Sequence, residues 1–406
     1  PKPGDSLNPS QPPADLSQKV GQITTLSADF SNGSDYVSAM TFDQKGNIYL
    51  AGKYSEDRYW GGGILSLKPS DYGYTINPDF GRSGRVMFRS DLYRDAQFKS
   101  IHIQEDGKIL VAGRVAEVGG KGWETAVWRY MPDGRSLDPE FGDLSYTNNQ
   151  RFGITVSAGF GESGGWNASV LQSDGKLIVV GEAYNMVDAI RQPNSREWDV
   201  MIARYRPDGD LDEGFGMKMG LHDHQPGFNV IDVDGPQTGL ADKAHAVALQ
   251  DDGNIVVVGE SDGRILVLRF WGKSGTLDMR FANNGIYAHR CNNDYRAKAI
   301  SVVIQPDQKI LVGGTCNNDL FFLRLLSDGT PDPSFGIAAP IPGYFGYVFV
   351  GLGGLDQLND LKLQSDGKIF ASATVFVAGD GKTGKSHQFK RAIVRLHSFG
   401  VVDSIP

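Results

Sequence analysis

Ile103-Gln104-Glu105-Asp106-Gly107-Lys108-Ile109 is one of six related stretches in this chain. The others are Phe42-Asp43-Gln44-Lys45-Gly46-Asn47-Ile48, Leu171-Gln172-Ser173-Asp174-Gly175-Lys176-Leu177, Leu249-Gln250-Asp251-Asp252-Gly253-Asn254-Ile255, Ile304-Gln305-Pro306-Asp307-Gln308-Lys309-Ile310 and Leu363-Gln364-Ser365-Asp366-Gly367-Lys368-Ile369. Internal repeats at this period signal a solenoid, a propeller or an array. Around each turn lie an alternating apolar run and a β-branched run, such as Ala297–Ile304 and Ile310–Gly314. Two such runs flanking Asp-Gly signal a hairpin, because the turn needs positive φ at its centre. A third run follows, here Phe321–Leu326, then Asp332-Pro333-Ser334-Phe335-Gly336, and usually a fourth run such as Gly285–His289.

No long stretch has helical spacing, so parallel βαβ units are not expected. Four antiparallel strands per unit, A to D, make the blade of a β-propeller. One blade cannot bury both of its apolar faces, and packing blades against one another does so. The expected fold is therefore all-β: a six-bladed β-propeller of four-stranded antiparallel blades, occupying 20–406 as one domain after an N-terminal extension, 1–19. Gly21-Gln22-Ile23-Thr24-Thr25-Leu26 reads as a D strand with no A, B or C before it. The last unit stops after its C strand, so this N-terminal strand is expected to close the last blade.

The 52 glycines of 406 residues exceed the usual share of about 7% and concentrate in turns. A net charge of −8 argues against nucleic acid, whose binders carry a basic face. The apolar stretch 344–355 is about half of a bilayer span, so the chain is not expected to be membrane-embedded. Pro1–Gln18 reads as a mature N-terminus or a linker. Cys291 and Cys316 each open a Cys-Asn-Asn-Asp tetrapeptide, one after a D strand and one after the next B strand. D–A and B–C loops emerge on one face, so the pair is expected to form a disulfide, which implies an oxidising compartment.

The motif Leu/Ile-Gln-x-Asp-Gly-Lys-Ile, a β-run ending in Gly, an Arg-bearing strand and Leu-Asp-x-x-Phe-Gly resembles the delta-60 repeat family. Leu171–Gly181 with Ile202–Gly216, and the Ile304–Gly336 copy, carry the resemblance best. The family is a bacterial propeller repeat of unassigned function, and it implies a secreted, periplasmic or cell-surface protein. It brings no catalytic residues and no cofactor. Asp43, Gln308 and Ser66 depart from the pattern, replacing Gln, the turn Gly and the C-strand Arg. The strand order also resembles that of NHL-type propellers, whose A strand lines the channel.

Residues that recur serve the blade. Arg129, Arg204, Arg269, Arg324 and Arg395 share one C-strand position, and Asp138, Asp212, Asp278 and Asp332 share one turn position. Forked guanidinium donors pair with carboxylates and carbonyls, so these read as structural glue. Turn chemistry accounts for the repeated Asp-Gly better than calcium does.

Function is expected where the repeat breaks, on loops held by a rigid scaffold. The B–C insertions Lys53–Gly63, Arg114–Thr125, Glu182–Asp199 and Thr374–Arg391 carry Tyr54, Tyr59, Trp60, Trp123, Tyr184 and Trp198, and Trp166 meets an A strand nearby. Exposed aromatics stack on sugar rings or anchor protein partners, whereas buried ones pack under their loops. Lys385 and His387 lie in a basic run of the last insertion, which suits an anionic ligand or a solvated loop. His222 and His224 make a weak metal candidate with no further ligands fixed.

Lys99, Asn167, His245, Asn359 and Asp360 are expected at the channel mouth. Asp360 with Asp35 would serve a propeller hydrolase or lyase, and a glycosidase among these needs paired carboxylates, with Asp95 and Asp242 also close by. Gly-x-Ser-x-Gly, His-Glu-x-x-His, Walker, Asp-box and quinoprotein motifs are missing. The leading expectation is a non-enzymatic binding or adhesion module presenting aromatic loops to a glycan or a surface protein. A channel-mouth hydrolase and a passive stalk domain are the alternatives.

Overall fold

Apolar runs punctuated by left-handed glycines fold into hairpins throughout. In the computed structural model, which describes residues 34–403 apart from 57–58, 72, 121, 145–149, 158–162, 185–197, 217–226, 234–240, 292–295, 337–343 and 379–387, the described residues contain strands and turns but no helix. The first sheet comprises β1 (Asp35–Phe42), β2 (Ile48–Glu56), β3 (Tyr59–Ser70), β4 (Gly73–Ile76) and β5 (Arg85–Phe88). The second comprises β6 (Tyr93–Ile103), β7 (Ile109–Glu117), β8 (Glu124–Tyr130) and β9 (Ile154–Ser157). The third has β10 (Ser163–Leu171), β11 (Leu177–Tyr184), β12 (Trp198–Tyr205) and β13 (Phe228–Ile231). The fourth has β14 (Asp242–Leu249), β15 (Ile255–Ser261), β16 (Arg264–Phe270) and β17 (Ile286–Arg290). The fifth has β18 (Lys298–Ile304), β19 (Ile310–Cys316), β20 (Asp319–Leu325) and β21 (Tyr347–Val350), and the sixth has β22 (Leu355–Leu363), β23 (Ile369–Val377) and β24 (Gln388–Leu396). These sheets are the blades of a six-bladed β-propeller.

Two blades depart from four strands. In the first, the long β3 pairs its far half with β4 and its near half with β5, so the outer strand is split. The last blade has three strands among the described residues, and Gly21–Leu26, expected to complete it, lie outside them. The repeated turn also differs in detail from a two-residue hairpin. Gln104 N donates to Lys108 O at 2.9 Å, and only Gly107 of the turn has positive φ, at 82°. Gln308 adopts φ 65° without being glycine, and its amide bonds to Asp251 hold it there.

The chain packs as two compact units: Pro1–Trp166 with Leu171–Lys176 and Arg206–Asp210, and Asn167–Val170 with Leu177–Tyr205 and Leu211–Pro406. In the first unit β6 lies on β1, β2 and β3, around Ile64, Phe98, Val111 and Trp128. In the second, Val180, Ile202, Val257 and Leu268 make one layer, Val258, Val267, Val312 and Leu323 a second, and Leu311, Phe322, Leu361 and Val394 a third. Each such buried side chain is worth about 1.5–3 kcal/mol.

One polar device recurs between neighbouring blades. Arg204 on β12 donates from Nε to Asp212 Oδ2 at 2.8 Å and from Nη1 to the Gly272 carbonyl of the next blade at 2.6 Å. Arg324 does the same with Asp332 at 2.8 Å and Ser398 at 2.5 Å. Arg129 pairs with Asp138 and Pro207 O, and Arg269 with Asp278 and Ser327 O. Each guanidinium also lies 4.6–4.7 Å over the Phe that follows its Asp. In the first blade Ser66 and Asn77 replace Arg and Asp, joined by a neutral hydrogen bond of 3.4 Å. Asp403 takes the carboxylate role for Arg395, at 2.6 Å.

Cys291, just after β17, and Cys316, ending β19, form a disulfide with Cα atoms 5.9 Å apart, joining the fourth blade to the fifth.

Candidate functional site

In the first unit, the β2–β3 hairpin stays regular out to Glu56↔Tyr59, so the insertion expected at Lys53–Gly63 is strand rather than open loop. Trp60-Gly61-Gly62-Gly63 shows why. A Cβ at Gly61 would fall 2.3 Å from the Tyr54 ring, and one at Gly62 would fall 2.4 Å from Phe98. The glycines let both rings pack beneath the hairpin. Tyr54 is accordingly buried, not on the rim, and burial raises its hydroxyl pKa against the opposing effect of Arg89.

Trp60 is half-buried. Its amide donates to Asp95 Oδ1 at 3.0 Å, and Arg94 Nε holds the other carboxylate oxygen at 2.9 Å. Lys53 Nζ stands 4.2 Å over the Trp60 ring and 4.8 Å over Tyr36. A cleft of about 390 Å³ opens here, with Trp60, Phe88 and Tyr93 on its walls, Tyr54 at its base, and Arg89, Asp91, Arg94 and Asp95 around it. The Tyr93 hydroxyl is pushed up to about 12 by burial, then by Glu124, Asp143 and Glu117. It therefore remains a neutral donor and acceptor across the ordinary pH range. Tyr93 and Arg94 were missed in the sequence, and Asp95 was read only as an acidic residue near the channel mouth, because only β6 packing on β3 brings them to Trp60.

Trp123 is half-buried in the same unit, with the Arg114 guanidinium 4.7 Å over its ring and Gln97 Oε1 accepting from Arg114 Nη2 at 3.0 Å. Trp166, expected near the loop face, is fully buried and presents no surface to a ligand. Its place in the repeat explains this: Phe98, Ala244, Ala299 and Leu358 occupy the same A-strand position and are buried too. In the second unit Tyr184 and Trp198 face each other across β11 and β12 with ring centroids 5.1 Å apart. Lys243 Nζ lies 5.8 Å from the Trp198 ring. Tyr59 pairs with Glu56, while Lys385, His387, His222 and His224 lie outside the described residues.

A strands carry a bulge at one repeat position. The pairing register shifts across Ser38, Lys99, His245, Ile300 and Asn359. Such bulges re-aim a side chain. In the second unit Asn167 Nδ2 bonds to Glu182 Oε2 and, at 2.9 Å, to Ala244 O. His245 Nε2 stands 3.7 Å from Glu260 Oε1, and Asn359 Nδ2 donates to Thr374 Oγ1 at 3.1 Å. Burial alone would raise the Glu260 pKa, but His245, Lys243 and Lys298 outweigh it and hold the carboxyl below its usual range. Asp360 accepts from Ser301 Oγ at 2.8 Å and pairs with Lys362 at 2.8 Å. Asp35 opens β1 opposite Tyr54 and is half-buried.

Among the described residues, Asp199, Asp232 and Asp242 place one carboxylate oxygen each within 4.8 Å of the others. Spacing along the chain does not announce this group, since its members come from β12, the segment after β13, and β14.

Residues 104–141, 172–215, 250–281 and 305–335 match the model of a family described as a domain of unknown function (DUF5122) beta-propeller. The match supports a propeller-repeat family. No curated protein matches the chain. Among solved structures, virginiamycin B lyase from Staphylococcus aureus aligns over 91% of this chain and 94% of its own at 8% identity and TM-score 0.40. The α-L-arabinofuranosidase Arb93A from Fusarium graminearum aligns over 90% and 94% at 9% identity and TM-score 0.47. A protein from Lactobacillus plantarum aligns over 90% and 86% at 13% identity and TM-score 0.44. Likenesses this distant say nothing of what the chain binds. No helix among the described residues is long and apolar enough to cross a membrane.

Proposed function

We propose that this chain is an extracellular binding module whose cleft beneath Trp60 receives a sugar ring of a glycan. The cleft itself carries the reading: about 390 Å³ with Trp60, Phe88 and Tyr93 on its walls and Arg89, Asp91 and Tyr93 offering donors and acceptors. Ligand sites are concave, mostly apolar and furnished with a few placed polar groups, at volumes from about 300 Å³ upward. An aromatic face covers the C–H side of a sugar while the polar groups bond its hydroxyls. Asp95 and Lys53 fix the Trp60 hairpin in advance, which lowers the ordering cost of binding.

The Cys291–Cys316 bridge supports an oxidising location, whether secreted, periplasmic or at a cell surface. The double motif supports counting the blades among delta-60 repeats. The hydrolase reading gains nothing from Asp360, whose carboxylate is committed to Ser301 and Lys362. A glycan array probed with the purified chain tests the proposal. Saccharide hits that vanish in Trp60→Ala, with an unchanged melting curve, are expected. An array with no hit, or hits indifferent to Trp60, would remove the proposal.

A further inference from the structure

The residues that hold the blades repeat, as Arg204, Arg269 and Arg324 do with their Asp partners. The bulge position repeats in backbone but not in chemistry: Ser38, Lys99, His245, Ile300 and Asn359. The B-strand position beyond each glycine or alanine varies too, as Lys53, Arg114, Glu182, Glu260, Thr315 and Thr374. A blade needs the same residue each time, whereas a ligand meets each blade from a different side. A constant slot with varied contents is what recognition requires.

In the second unit three nitrogen bases, Lys243, Lys298 and His245, stand at or beside this slot against two carboxylates, Glu182 and Glu260. Lys243 is the second residue of β14, after Asp242, and Lys298 begins β18, which packs on β14 and β15. Both lysines are half-buried, and neither closes a hydrogen bond or ion pair among the described residues. His245 Nε2 is buried with no hydrogen-bond partner, 3.7 Å being too far for one to Glu260. Glu182 is already taken by Asn167. Glu260 thus meets two ammonium groups and an imidazole. Lys243 has the Trp198 ring at 5.8 Å and both lysines act on Glu260, which leaves their ammonium hydrogens without an acceptor, and an anion seated among them would supply one.

We propose that Lys243, Lys298 and His245 Nε2 receive the oxyanion of a small ligand, a carboxylate or a phosphate. Lys243, His245 and Lys298 belong to the second unit and Trp60 to the first, so Trp60→Ala alters none of these side chains.

The test is isothermal titration of the full chain with sodium glucuronate and, separately, sodium phosphate, at matched ionic strength. One probe is expected to bind, and the double variant Lys243→Gln/Lys298→Gln to weaken it at least tenfold with an unchanged melting curve. Binding of glucuronate alone assigns a carboxylate ligand, and binding of phosphate alone assigns a phosphate. Neither probe binding, or equal binding by the double variant, overturns the proposal. If that variant fails to fold, the imidazole resonances of the wild-type chain, with His245 assigned through His245→Gln, supply the readout. The bound probe must shift His245, and an unmoved resonance overturns the proposal equally.

Discussion

Arg269 reaches Asp278 through Nη2 at 2.7 Å while the Asp278 side chain is wholly buried. The guanidinium also donates to the Ser327 carbonyl of the next blade. The carboxylate would be raised by burial alone, but the Arg280 amide and the Arg269 guanidinium hold it below its usual range. The pair therefore ties a strand to its own turn and to its neighbour.

Arg269→Met leaves the buried Asp278 with only the Arg280 amide and the exposed Arg280 guanidinium as partners, so we expect a loss of about 3 kcal/mol in urea unfolding. The double variant Arg269→Met/Asp278→Leu should recover a large part of that. A double variant as unstable as the single one would mean that the bond to Ser327, not the ion pair, carries the effect.

Asp332 has its pKa lowered from 3.8 to about 2: burial opposes ionisation, and Ser334, Lys309 and Arg324 outweigh it. A depressed carboxyl contributes stability that is full above the unfolded value and is lost as pH falls through the folded one. The unfolding free energy should therefore fall between about pH 4 and pH 2, by up to about 2 kcal/mol from this group, and the melting temperature with it. Asp332→Asn should flatten that part of the profile while lowering stability at pH 7.

Gly275 has φ 69°, and a Cβ there would fall 2.6 Å from the Phe215 ring. Gly253 has φ 82° with nothing within 4 Å. Gly253→Ala should cost about 1–2 kcal/mol from backbone strain alone. Gly275→Ala should cost at least 1 kcal/mol more, from overpacking, in the same chemical unfolding experiment.

The disulfide closes a loop with a sequence separation of 25. Loop entropy makes that worth about 3.5 kcal/mol. Cys291→Ser/Cys316→Ser, or reduction of the native chain, should lower the melting temperature accordingly. Equal melting with and without reductant would contradict the bridge.

The architecture was legible because every blade repeats its turn and five of the six repeat the C-strand Arg with its Asp, and 104–141 and 305–335 differ little in that respect. Ser66 showed as a departure, and Asn77 complements it at the Asp position. The bulges were not legible. A register shift belongs to the pairing of two strands, and Ser38, His245 and Ile300 share no residue type that could announce it. Trp166 was misplaced because its neighbourhood in sequence, beside a loop, outweighed its place in the repeat, where Phe98 and Leu358 are buried. The Trp60 cleft draws on Tyr93 to Asp95, which sequence distance concealed.

The most direct test is titration of the strongest array saccharide into the wild-type chain, Trp60→Ala and Trp198→Ala, each with a melting curve. We expect Trp60→Ala to weaken binding at least tenfold with the melting temperature held, and Trp198→Ala, in the other unit, to bind as the wild type does. Undiminished binding by Trp60→Ala would contradict a cleft-borne glycan site.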